Sequence, residues 1–206
     1  MPVFVKDEHR VLFVHVPKTG GSAVEDAFRD DGWDVYFLDR RARRHPPNQL
    51  RTCSPQHMHA DLLAQTLRLD RMDVSVMVVR EPLARFRSEY LWRHRREPGL
   101  TAVDVEAWGR RMLQRFEADP FVLDNHVRPQ VRFRVPGVRV HRYEDGLQAA
   151  LDDVARVCGL ATAPQVAPAP TAEGAGPRSS DVPLTPELEG TLREFYREDF
   201  EELGYS

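Results

Sequence analysis

A short polar loop between an apolar run and an amphipathic segment contains the residues best suited to chemistry. The loop consists of Pro17, Lys18, Thr19, Gly20, Gly21 and Ser22. Its glycines allow backbone N–H groups to approach an oxyanion closely, and the start of a helix adds a favourable dipole. Lys18 supplies a mobile positive charge, and the two hydroxyl side chains supply hydrogen-bond donors. The loop therefore predicts a phosphate-binding site.

The order of residues in this loop restricts the phosphate compound that it can bind. In the nucleotide-triphosphate loop, G-x-x-x-x-G-K-[ST], the lysine follows the glycines. Here Lys18 precedes Gly20 and Gly21, and no glycine lies five positions before it. The dinucleotide pattern G-x-G-x-x-G is also absent. The order P-K-T-G-G-[ST] resembles instead the 5′-phosphosulfate loop of sulfotransferases that use 3′-phosphoadenosine 5′-phosphosulfate (PAPS).

A second polar cluster follows the most apolar and β-branched run, residues 74–79. Arg80 ends this run, and Ser88 lies eight residues further along the predicted helix. Ligands of open α/β sheets bind outside the carboxyl ends of the strands, and the arginine fork suits bidentate contact with phosphate. The pattern R-E-P-x-x-R-x-x-S-x-Y resembles the 3′-phosphate motif of the same family. The resemblance implies that Arg80 and Ser88 bind the 3′-phosphate of PAPS.

Two histidines between these motifs are candidates for a general base. His57 and His59 occur in the stretch SPQHMHADLL, and histidine is the natural base near neutral pH. Their H-x-H spacing resembles the histidine pair of the 2-O-sulfotransferases, which implies that His59 is the base and His57 its support; the choice between them stays open. The resemblance also implies that Lys18 stabilises the leaving phosphate. No further metal ligands lie near the pair, so no metal site is predicted.

The remaining candidates concern the acceptor and the closing of the donor site. Asn125, Arg128 and Gln130 lie in the stretch LDNHVRPQVRF and suit sugar hydroxyls or a carboxylate, or form a polar turn. Residues 162–183 are rich in proline, alanine, glycine and serine, which is typical of a connector or a flap. Within that segment, Arg178 would close over the adenine or the 3′-phosphate, as a late loop does in the family.

Alternating elements must position these residues. Apolar β-rich runs predict strands at residues 11–16, 34–38, 74–79 and 138–142. Amphipathic segments predict helices at residues 23–29, 59–69, 83–95, 103–117, 147–158 and 184–203. This alternation predicts a single α/β domain over residues 1–206, a three-layer sandwich with a central parallel sheet. The resemblance implies the P-loop-NTPase-like sulfotransferase fold.

Composition excludes several other classes of protein. The net charge of −3 provides no global basic field of the kind that nucleic-acid binders show. Arginines cluster at residues 40–44, 93–96 and 110–111. Each cluster is expected either to lie on a solvated face or to face an anionic acceptor. Two separated cysteines suggest neither a zinc site nor a disulfide framework. Without a signal peptide or an apolar run of about 20 residues, the expected protein is cytoplasmic and bacterial in type, with no membrane span.

The motifs together predict a PAPS-dependent O-sulfotransferase that acts without a metal. They resemble the carbohydrate branch, which includes heparan and uronyl 2-O-sulfotransferases, so the expected acceptor is a carbohydrate hydroxyl and the nucleotide product is 3′-phosphoadenosine 5′-phosphate (PAP). Two alternatives remain. One is a P-loop-type kinase, and the other is a non-catalytic nucleotide-binding protein on the same scaffold.

Overall fold

A mixed five-stranded sheet forms the centre of the protein in a computed structural model that describes residues 1–39, 50–96, 101–168 and 177–206. In chain order the strands are β1 Val3–Lys6, β2 His9–Val14, β3 Asp34–Tyr36, β4 Val74–Val79 and β5 Arg139–Arg142. Their spatial order is β3-β1-β2-β4-β5. Strand β4 runs parallel to both neighbours, whereas β1 runs antiparallel to both of its own. The predicted α/β class with central parallel strands is confirmed.

Helices cover both faces of this sheet. They are α1 Gly21–Asp30, α2 Ala60–Thr66, α3 Pro82–His94, α4 Ala102–Ala118, α5 Gln148–Cys158, α6 Pro186–Phe195 and α7 Arg197–Leu203. Alternate residues of a strand point to opposite faces. Accordingly, Phe13 and Val76 pack with α1 and α5 on one face, and Leu12 and Met77 pack with α2 and the end of α7 on the other. No helix within the described ranges is long and apolar enough to cross a bilayer.

The amino-terminal hairpin was not predicted from the sequence. The prediction placed the first strand at residues 11–16, but Val3–Lys6 already forms β1, and the next strand is His9–Val14. The two strands pair so that Lys6 lies opposite His9. Asp7 between them adopts a φ of 53°, a left-handed conformation that two-residue hairpin turns require and that aspartate tolerates better than most residues. The charged KDEH stretch is therefore a tight turn.

The carboxy-terminal helix is interrupted, which corrects the predicted single helix at residues 184–203. Helix α6 ends at Phe195 and α7 begins at Arg197, with Tyr196 between them at φ −99° and ψ 20°. The buried Tyr196 hydroxyl donates to the carbonyl of Val127 at 2.9 Å. The change of direction also lets Asp199 of α7 accept from the backbone N–H groups of Gln130 and Val131, each at 2.9 Å. Two buried contacts thus accompany the break in the helix.

Candidate active site

A cleft of about 820 Å³ opens where β2 and β4 end side by side. Loop 17–22 follows β2, Arg80 follows β4, and helix α3 contributes further lining. The residues that line the cleft include His15, Pro17, Lys18, Gly20, Gly21, Ser22, His57, Arg80, Ser88, Trp92, Asp124, His126 and Tyr143. The structure thus brings together most of the predicted donor-binding residues. A cleft of this volume is in the range that accommodates a nucleotide-sized ligand.

Loop 17–22 is shaped by its glycines. Gly20 has a φ of 84° and precedes α1 as its N-terminal cap, a conformation that glycine adopts without steric cost. At Gly21, an added Cβ would clash with the imidazole of His15. Thr19 is buried, and its hydroxyl donates to the carbonyl of Val16 at 2.9 Å. This hydrogen bond stabilises the loop from its buried side. The N-terminus of α1 is suited to an anion, because a helix N-terminus presents backbone N–H groups and a favourable dipole.

Lys18 lines the cleft and contacts an aromatic ring. Its Nζ atom lies 5.0 Å from the ring centre of Trp92, a cation–π contact. Burial lowers the pKa of Lys18, and the nearby Glu89 carboxylate opposes that effect. Trp92 was not singled out from the sequence, although it lies one helical turn after Ser88 on the same face of α3.

Arg80 is held in place from both its backbone and its side chain. The Gln130 side chain accepts from the backbone N–H of Arg80 at 2.9 Å and donates to its carbonyl at 2.7 Å. The guanidinium lies 4.6 Å from the ring centre of Tyr143 and donates to the hydroxyl of Ser179 at 3.3 Å. Gln130 is fully buried, so it positions Arg80 and has no exposed surface for the expected acceptor contact.

The two candidate histidines occupy different environments. His57, at the end of the 3₁₀ turn Pro55–His57, lines the cleft, and its Nδ1 lies 2.8 Å from a carboxylate oxygen of Asp124. His59 caps α2, packs against Phe121 and is not among the residues that line the cleft. Within the described ranges, Nδ1 of His59 is buried without a hydrogen-bond partner. The geometry therefore favours His57 over His59 as the general base.

Asp124, which the sequence analysis did not single out, organises this site. Its carboxylate accepts from the backbone N–H of Ser54 at 2.6 Å and from the Ser54 hydroxyl at 2.7 Å, in addition to its contact with His57. Burial would raise the pKa of Asp124, but the hydrogen bonds from His57 and Ser54 outweigh it and hold that pKa well below its usual range. An ionised carboxylate on Nδ1 fixes the His57 ring and leaves the lone pair on Nε2.

The turn that presents Asp124 is conformationally costly. Three consecutive residues, Leu123, Asp124 and Asn125, have φ values of 54°, 62° and 64°. The left-handed region costs most non-glycine residues roughly 1–2 kcal/mol, a cost that applies fully to Leu123 and less to aspartate and asparagine. Asn125 is fully buried and donates to the carbonyl of His57 at 2.8 Å, while Arg128 donates to the Asn125 side chain at 3.0 Å. Asn125 and Arg128, expected to contact the acceptor, thus support the turn and the histidine.

Two further histidines extend the site, each paired with a carboxylate. Nδ1 of His15 lies 2.6 Å from Glu25, and Nδ1 of His126 lies 2.7 Å from Glu89. The rings of His15, His57 and His126 form a row with centroid separations of 5.0 and 4.9 Å. Neither His15 nor His126 was a candidate base in the sequence analysis, because no local spacing connects these residues.

Arg178, like the buried Thr19, is a predicted donor-binding residue that does not line the cleft. It is exposed, and its backbone N–H donates to Asp181 at 2.8 Å. The neighbouring Ser179 contacts Arg80, and the carbonyl of Val182 accepts from Arg87 at 3.1 Å. The carboxy-terminal end of segment 162–183, residues 177–183, therefore packs beside the site through Ser179. Residues 169–176 lie outside the described part of the chain.

The free energy of unfolding is expected to fall by roughly 2 kcal/mol between pH 6.5 and pH 5 because of His57. Burial lowers the pKa of His57 from 6.5 to about 3 in the folded protein. The unfolded state therefore binds more protons in this window, and stability rises with pH. Urea unfolding at both pH values measures the slope. The variant His57→Gln should retain only the smaller slope contributed by groups such as His59, whereas an unchanged slope would contradict the assignment.

Comparison with known proteins identifies one family. The family model described as "Sulfotransferase family" matches the chain over residues 1–206. No curated protein and no solved structure matches significantly.

Proposed function

This chain belongs to the sulfotransferase family, and from that premise we propose that it transfers a sulfuryl group from PAPS to a hydroxyl of a carbohydrate acceptor. Family membership supports sulfuryl transfer in general. The observation that carries the finer proposal is the convergence of loop 17–22, Arg80 with Ser88, and the His57–Asp124 pair on one cleft. Anion-binding groups and a positioned base thus surround one space.

The donor is proposed to lie across the carboxyl ends of β2 and β4. Its 5′-phosphosulfate would contact the backbone N–H groups at Gly20 and Gly21, where the helix dipole of α1 favours negative charge. Arg80 and Ser88 would bind the 3′-phosphate, with the arginine held by Gln130. Both ends of PAPS are anionic, so two separate positive sites bind it better than a compound with one phosphate group.

The transfer step uses His57 and Lys18. Nε2 of His57 takes the proton of the acceptor hydroxyl while Nδ1–H donates to Asp124. The acceptor oxygen forms a bond to sulfur, and the bond between sulfur and the 5′-phosphate oxygen breaks. Lys18 neutralises the charge that develops on that leaving oxygen. The products are a sulfate ester and PAP, and the proton remains on His57 until solvent removes it.

Incubation with ³⁵S-labelled PAPS and a panel of glycans tests this proposal. We expect label in a glycan without added metal, and none from ATP when γ-³²P-labelled ATP with Mg²⁺ replaces PAPS. Phosphate transfer from ATP would favour the kinase alternative. Tight binding of PAP with no transfer to any glycan or cell extract would favour the non-catalytic alternative.

A further inference from the structure

The cleft contains a group of metal-binding side chains that includes the proposed general base. We propose that His57, Asp124 and His126 form a binding site for a divalent transition-metal ion such as Zn²⁺, and that an ion bound there blocks the general base. The site itself is independent of the proposed function, whereas its inhibitory effect depends on that function.

The donor atoms are already close together. One ligand atom from each of His57, Asp124 and His126 can be chosen so that all three lie within 4.8 Å of one another. Zinc binds histidine nitrogen and carboxylate oxygen at about 2.0–2.2 Å, so small side-chain movements would bring the three atoms onto one ion. Two imidazoles and one carboxylate form a set that favours zinc, copper or nickel over magnesium or calcium.

The surroundings of these ligands also suit a metal. Glu89 lies 2.7 Å from Nδ1 of His126, so that Nε2 of this ring keeps its lone pair for a ligand. The Ser54 hydroxyl donates to Asp124 at 2.7 Å and orients the carboxylate. Carboxylates and hydrogen-bond donors placed behind the ligands are a regular feature of protein zinc sites. Three protein ligands beside an open cleft would leave a fourth position for water or for an acceptor hydroxyl.

Charged side chains around the cleft act on a bound cation in both directions. Lys18, Arg80 and Arg95 line the same space and oppose a cation, whereas Glu25 and Glu89 behind the histidine row favour it. A neutral imidazole has one basic lone pair, so an ion on either nitrogen of His57 leaves the ring unable to accept the acceptor proton. The ion is therefore expected to inhibit transfer, and chelation with EDTA should restore the activity.

Titration of the protein with Co²⁺ tests the site without reference to activity. We expect one ion per chain with the visible d–d absorption of four- or five-coordinate cobalt, displaced by Zn²⁺. The variant His126→Gln should weaken binding at least tenfold, the lower end of the effect of disturbing a metal site. A matched control is His141→Gln. His141 also lies beside a carboxylate, Asp153 at 3.1 Å, but Arg139 and Arg156 occupy that carboxylate, so binding should be unchanged.

The absence of the d–d absorption, or equal affinity in His126→Gln and the unmodified protein, would overturn the site. Because loss of His126 leaves the buried Glu89 with one partner fewer and can impair folding, a second measurement uses the unmodified protein labelled with ¹⁵N-histidine. Zn²⁺ should shift the ring nitrogens of His57 and His126, and shifts confined to other histidines would also overturn the proposal. If the protein transfers no sulfate at all, the proposed function fails while the cobalt result still decides the metal site.

Discussion

The variant His57→Gln is expected to lose transfer activity, with kcat lower by about 10²–10⁴-fold, the usual contribution of a general base. Its affinity for PAP should stay unchanged, because the proposed donor contacts come from loop 17–22 and Arg80. Asp124 also accepts from the N–H and the hydroxyl of Ser54, so the buried carboxylate retains partners when His57 is replaced. Initial rates with ³⁵S-labelled PAPS and calorimetry with PAP measure the two quantities separately.

His59→Gln is the matched control, because it changes the same side chain two positions away. His59 lies outside the cleft and packs against Phe121, so its loss should change kcat by no more than a few-fold and act mainly on stability. The opposite result, with His59→Gln inactive and His57→Gln active, would overturn the geometric assignment and favour the assignment that the resemblance implies. If neither variant loses activity, another group is the base.

The variant Lys18→Met is expected to lower kcat by about 10²–10³-fold, the magnitude found when a single group that stabilises developing charge is removed. Methionine has a similar length and can still pack on Trp92, so the change removes the charge and little else. The effect should fall mainly on kcat, because the leaving oxygen gains its charge in the transition state. Kinetics at varied PAPS concentrations separate kcat from KM.

Lys6→Met supplies the control, since Lys6 and Lys18 are the two lysines of the chain. Lys6 lies on β1 and pairs with Asp31 at 3.0 Å, a half-exposed ion pair that contributes at most about 1 kcal/mol to stability. Transfer by this variant should match that of the unmodified protein. A Lys18→Met variant with normal kcat and a raised KM would assign Lys18 to donor binding alone.

The donor-binding half of the site could be predicted from sequence because its determinants are local. In loop 17–22, residues that are neighbours in the sequence also line the same part of the cleft. The conformation of this loop depends on its own two glycines. Arg80 follows the strongly apolar strand β4, and the ends of parallel strands meet at one sheet edge. The alternation of strands and helices predicted the α/β class for the same reason, since hydrophobic periodicity records which residues each element buries. The role of these residues in donor binding stays a prediction.

The base half of the site depends on the tertiary structure. His57 and Asp124 are 67 positions apart, and Asn125 reaches the His57 carbonyl across 68 positions. The sequence placed two histidines between the donor motifs, but both fit the same local pattern. The packing of the left-handed turn at 123–125 against the 3₁₀ turn Pro55–His57 brings the Asp124 carboxylate to His57 at 2.8 Å, whereas the carboxylate near His59, at 3.7 Å, belongs to the exposed Asp61. Side chains that meet across such distances leave no periodic signal, because their contact results from how separate elements pack.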